Sequence, residues 1–75
     1  MFEIVSIAHL GRLLHQERKA QGLTQEQLAA LTGVGVRFLR ELEAGKESCE
    51  IGRAFRIASA LGLHIFVDSR QGTSL

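Results

Sequence analysis

Residues 23–45 read LTQEQLAALTGVGVRFLRELEAG, and the folding of this stretch decides the rest of the chain. Thr24 with Gln27 three residues on is a capping-box signature, so a helix starts here. Leu28 and Leu31 form its apolar face, and the small Ala29 and Ala30 permit close approach of another helix. Gly33 fits a sharp turn, and Val34 plugs the core beneath it. A second helix follows over 36–44, with Phe38, Leu39 and Leu42 inward. Val36, Arg37, Arg40, Glu41 and Glu43 are then outward, and Gly45 stops the helix.

Working outward, Ser6 is the expected N-cap of an earlier helix with Ile7, Leu10, Leu13 and Leu14 at helical spacing. Gly22 ends it, and Arg18 and Lys19 sit in its last turn, where cations favour the helix dipole. Residues 2–5 are short, apolar and β-prone, a brief extended segment or an N-terminal arm. Downstream, Ser48 is a candidate cap for a helix over 50–61, with Ile51, Ala54, Phe55, Ala58 and Leu61 turned inward. Arg53 and Arg56 on that helix read as exposed charges within reach of Glu50, or as contacts to a partner protein.

The final apolar run, LHIFV at 63–67, is different in kind. It is β-branched and aromatic, bounded by Gly62 and Asp68, and reads as a strand. A strand needs a pairing edge. The expectation is that Leu63, His64, Ile65, Phe66 and Val67 pair with the same strand of a second copy across a dimer axis. A tail packed on the helices is the simpler alternative, and 69–75 reads as a loose polar end.

The chain has 75 residues, 45% of them hydrophobic, and is expected to form one domain over 1–75. A domain of this size buries only roughly 60% of its unfolded surface, so dimerisation is a natural remedy. With four Phe and no Trp or Tyr, stacking platforms for single-stranded nucleic acid are scarce. Cys49 is the sole cysteine, which excludes an internal disulfide and agrees with a reduced compartment. No apolar run approaches the roughly 20 residues of a membrane span. The opening MFEIVSIAHLGR lacks an early basic region and reads into a helix, so a cytoplasmic protein is expected. His9, His15 and His64 are dispersed, and no metal or cofactor site is expected. No glycine-rich phosphate loop or nucleophile elbow is present, so an enzyme is not expected.

Two short helices about a glycine turn make a helix-turn-helix, whose second helix enters the major groove of double-stranded DNA. Net charge is only +1, so a basic surface must come from segregation. Arg37, Arg40 and Lys46 fall in or just after the second helix, with Glu26, Glu41 and Glu43 nearby. On charge alone, solvated helix faces explain this equally well. Arg37 or Arg40 is suited to grip guanine with a bidentate fork, and Val36 to touch a thymine methyl. Lys46 is a candidate phosphate contact.

LTQEQLA, TGVG and FLRELEAGK resemble the Xre/Cro-type helix-turn-helix family related to phage repressors. The run from Val36 to Val67, with its LGL turn and terminal strand, is more narrowly similar to HipB-type antitoxins. The resemblance implies an all-α, lambda-repressor-like bundle. It also implies two tasks: a homodimer that represses its own operator, and neutralisation of a HipA-like kinase toxin. It places Thr24 and Gln25 at the phosphate-facing start of the first motif helix, Gln25 touching phosphate or bracing the second helix. Gly35 stands where the family usually has a serine or threonine cap, a departure that removes a hydroxyl. A stand-alone phage-type or metabolic regulator, or a helical adaptor that binds only protein, remains the alternative.

Overall fold

The computed structural model describes residues 2–47 and 50–70. Four helices run in the order α1 (Ile7–Ala20), α2 (Gln25–Thr32), α3 (Val36–Glu43) and α4 (Ile51–Ala60). The expected caps form. The Ser6 side chain accepts from the His9 amide at 3.1 Å. At α2 the Thr24 hydroxyl accepts from the Gln27 amide at 3.0 Å, and the Thr24 amide donates to Gln27 Oε1 at 2.9 Å. Both arms of the box are therefore closed, and two otherwise orphaned donors are satisfied. Gly33 closes α2 at φ +70°, a left-handed conformation that a side chain at this point would strain. The expected cap at Ser48 lies outside the described residues.

The C-terminal ends of α1, α3 and α4 share one solution. The Leu23 amide reaches the Arg18 carbonyl at 3.1 Å, Lys46 reaches Glu41 at 3.0 Å, and Leu63 reaches Ala58 at 2.9 Å. With the companion bonds from the Gly22, Gly45 and Gly62 amides to the carbonyls of Lys19, Leu42 and Ser59, these are three Schellman closures. Each fixes the direction in which the chain leaves its helix. At α4 the closure is tied to α1, because Gln21 Nε2 donates to the Leu61 carbonyl at 2.7 Å.

Leu14, Leu28, Val34, Leu39, Leu42, Ala54, Ile57, Ala58 and Leu61 form one continuous core. Ile7, Leu10, Leu23, Phe38 and Leu63 pack against its edge. Close packing of α1 on α3 depends on a missing side chain: a methyl group at Gly11 would collide with the backbone carbonyl oxygen of Leu42. Burying the core side chains contributes roughly 1.5–3 kcal/mol for each large one, an upper estimate given a compact unfolded chain.

Three inward assignments are corrected. Leu31, Ile51 and Phe55 are 68%, 59% and 48% exposed. In α4 the buried stripe is Ala54, Ile57, Ala58 and Leu61, rotated from the expected one. This helix is apolar on more than one side, so periodicity alone did not choose which side meets the core. Glu43 is also reversed: its side chain is only 4% exposed. No strand forms among the described residues, and 63–69 carries no ladder. Among the described residues, nothing offers that segment a pairing edge.

Candidate nucleic-acid interface

The second motif helix, α3, is held from behind by an ion pair. Arg18 on α1 donates from Nε to Glu43 Oε2 at 2.7 Å and from Nη2 to Glu43 Oε1 at 2.9 Å. Its remaining arm, Nη1, donates to the Leu23 carbonyl at 2.8 Å. Gln25 Nε2, from α2, donates to Glu43 Oε1 at 3.1 Å. His15 Nδ1 lies 2.8 Å from the same oxygen. A carboxylate oxygen only accepts, so this Nδ1 carries the proton. The 3.1 Å approach of Arg18 Nη2 to His15 Nδ1 is then proximity between two donors. Burial pushes the Glu43 carboxyl up, but hydrogen bonds from Arg18, His15 and Gln25 outweigh it and hold it below its ordinary pKa. The hydrogen bond to Glu43 likewise raises Arg18. Three side chains from two helices, α1 and α2, thus converge on one carboxylate at the end of α3.

Gln25 was expected to touch phosphate or to brace α3, and its amide nitrogen is placed on the brace. Thr24 is engaged in its own capping box at the front of α2. Gly35 is the N-cap of α3 and supplies no side-chain bond. A Cβ there would meet nothing within 4 Å.

The outer side of α3 faces solvent. Its buried side is marked by Leu39, Leu42 and Glu43, so at 3.6 residues per turn the opposite side is centred on Arg37, Glu41 and Ala44. Arg40 flanks it, exposed and without an ion-pair partner among the described residues. Val36 is half-buried. Arg37 Nε donates to Glu41 Oε1 at 3.1 Å, and Lys46 Nζ donates to Glu41 Oε2 at 2.6 Å. The hydrogen bond from Lys46, with Arg37 adding to it, overcomes desolvation and lowers Glu41 below its usual pKa. From sequence, the cations have a role and Glu41 stands outward beside them without one. On α4, Arg53 pairs with Glu50 at 3.6 Å and lies 5.7 Å above the Phe38 ring.

Of the five residues expected at a dimer interface, Leu63 packs on the core edge, while His64, Ile65, Phe66 and Val67 are exposed. Leu63, His64, Ile65 and Val67 line a shallow groove with Phe55, Ala58 and Ser59 of α4. Among the described residues no group of three or more His, Cys, Asp or Glu side chains is placed to hold a metal ion. No helix among them is long and apolar enough to cross a membrane.

The helix-turn-helix family model HTH_3 matches residues 14–67 of this sequence. The chain belongs to this family. It is 43% identical over 58 residues to an uncharacterised HTH-type transcriptional regulator, y4mF, of Sinorhizobium fredii, covering 77% of this chain and 76% of that protein. It is 46% identical over 50 residues to an uncharacterised HTH-type transcriptional regulator of Methanothermobacter thermautotrophicus, covering 67% and 72%. Among solved structures it is similar to HipB in an O4 20mer complex, with a TM-score of 0.85 at 21% identity. That likeness covers 93% of this chain and 99% of that one. HipB in a HipA–HipB–O2–O3 complex matches with the same score and coverage. The chain therefore has the fold of HipB, and its four helices, without a strand among the described residues, are those of an all-α helix-turn-helix domain.

Proposed function

We propose that this regulator is a sequence-specific repressor that binds double-stranded operator DNA as a homodimer. The observation that carries this reading is the pairing of a solvent-facing cationic side on α3 with a buried anchor behind it. Arg37, Arg40 and Lys46 are presented outward, while Glu43 fixes the same helix to α1 and α2. A reading helix must be rigid to discriminate bases, since contacts worth roughly 1–3 kcal/mol vanish when misplaced. In this reading Val36, Arg37 and Arg40 face base edges, Thr24, Gln25 and Gly35 lie along the phosphates, and Lys46 stands at their border with its ammonium on Glu41.

The second copy joins through 63–67. The exposure of Ile65, Phe66 and Val67, at 50%, 76% and 93%, supports this, because such side chains seldom stand together in water without a partner. To read two half-sites one turn of DNA apart, such a dimer needs its two α3 helices about 34 Å apart. We further propose that the regulator is the antitoxin of a type II toxin–antitoxin module, neutralising a HipA-like kinase and working in the cytoplasm on its own operon. The likeness over nearly the full length of HipB, seen also in a complex with HipA, supports this role.

The decisive experiment is a duplex-binding titration over a range of salt, with wild type and a chain ending at Gly62. A repressor gives an affinity falling steeply with salt, because neutralised phosphates release counterions. Binding of no duplex at low salt would leave a protein adaptor. Co-expression with the product of an adjacent kinase-like reading frame tests the antitoxin role: a stable complex supports it, and separate elution removes it.

A further inference from the structure

The outer side of α3 has a carboxylate at its centre, an arrangement a simple phosphate clamp would avoid. Glu41 lies with Arg37 and Ala44 diametrically across the helix from the buried side chains. Both of its oxygens are used, Oε1 by Arg37 and Oε2 by Lys46. The cluster is ordered by the backbone as well as by charge. The Lys46 amide donates to the Glu41 carbonyl at 3.0 Å in the closure of α3, so the two residues are bound together twice.

A carboxylate here repels phosphate and weakens binding to every duplex alike. It brings an advantage only through discrimination. Glu41 engages Arg37 at Nε and leaves Nη1 and Nη2 uncommitted, the two nitrogens whose spacing matches O6 and N7 of guanine. It also holds the Lys46 ammonium back on the protein, 2.6 Å from Oε2, instead of leaving it to phosphate.

Resting on the DNA-binding reading above, we propose that Glu41 is a specificity-determining positioning residue. It aims the Arg37 fork at a base edge and suppresses sequence-independent binding by occupying Lys46. Glu41 acts through Arg37 and is not itself required for the fold, since its side chain is 30% exposed and lies opposite the core.

The test uses the full chain and two probes. One is a pool of randomised 24-mer duplexes, about two turns of DNA. The other is the sequence that wild type selects from that pool. Glu41→Gln keeps size and removes charge. The variant is expected to bind the random pool more tightly, with a salt slope steeper by about 1 as Lys46 becomes free to neutralise a phosphate. Its preference for the selected sequence over the pool is expected to fall roughly tenfold, within the range of one lost bidentate contact. In an Arg37→Ala background the same substitution should leave that preference unchanged. An unchanged preference and slope in Glu41→Gln alone would overturn the proposal, as would a loss of preference that persists without Arg37. If wild type binds neither probe, it is the DNA-binding reading that falls.

Discussion

Arg18 grips Glu43 with two parallel hydrogen bonds, 2.7 and 2.9 Å long, across 25 residues of sequence. Their side chains are 7% and 4% exposed. A buried pair of this kind is not itself a large source of stability, but losing one partner strands the other. Glu43→Ala is expected to destabilise the fold by about 3–5 kcal/mol, read as a lowered urea midpoint. A loss under about 1 kcal/mol would mean that water reaches Arg18 far more easily than its burial implies.

The same pair sets an acid response. Burial raises Glu43, but the bonds from Arg18, His15 and Gln25 prevail, so its pKa is lower folded than unfolded. Its stabilising contribution is then complete above the unfolded glutamate value of about 4.3 and is lost as pH falls through the lower folded value. Glu43→Gln cannot titrate. The advantage of wild type over this variant, measured by urea unfolding at a series of pH values, should therefore be constant near neutrality and shrink below pH 4. A gap that widens in acid would reverse the assigned direction.

Gly11→Ala opposes two effects of known size. Alanine is favoured over glycine inside a helix by about 1 kcal/mol. The new methyl group meets the Leu42 carbonyl oxygen, a backbone atom that moves only if α1 and α3 separate. Overpacking of that kind costs about 1–3 kcal/mol, so net destabilisation is expected by thermal unfolding. A rise in Tm would show that α1 yields without cost.

Gly35→Ser should move stability the other way. The site has φ −64° and ψ 144°, open space for a Cβ, and no existing cap bond. A serine cap is worth a few tenths of a kcal/mol over glycine, and the restricted unfolded chain adds about 0.4–1 kcal/mol. The expected outcome is a higher Tm. The added hydroxyl should also tighten duplex binding, if this N-cap borders phosphate as proposed.

Arg37→Ala should cost about 1–3 kcal/mol in binding to the selected duplex and little on the random pool. Fluorescence anisotropy at one fixed salt concentration reads both. Equal losses on the two probes would make Arg37 a phosphate contact and pass base reading to Arg40.

Much of the fold was legible because local rules acted alone. Ser6, Thr24 with Gln27, and Gly33 are decided by backbone donors within a few residues, and each sits where the sequence placed it. Leu31, Ile51 and Phe55 were not legible, because an apolar side chain at helical spacing looks the same whether it meets the core or solvent. Arg18 and Glu43 were invisible for another reason. Each resembles an ordinary surface charge, and only tertiary contact brings them together. The candidate interface divides likewise: the cations were read from their types, whereas the organising role of Glu41 depends on where the end of α3 returns Lys46.

The bond from Gln21 to the Leu61 carbonyl fixes the point from which the chain departs the four-helix body. Residues 63–67 leave the helices at that point, so a small rotation there would carry the segment with it. In the proposed dimer, the separation of the two reading heads is a length that the protein must measure, and Gln21 is the stop on that ruler. Changing it would alter which gap between half-sites fits while leaving the letters read at each half-site as they were.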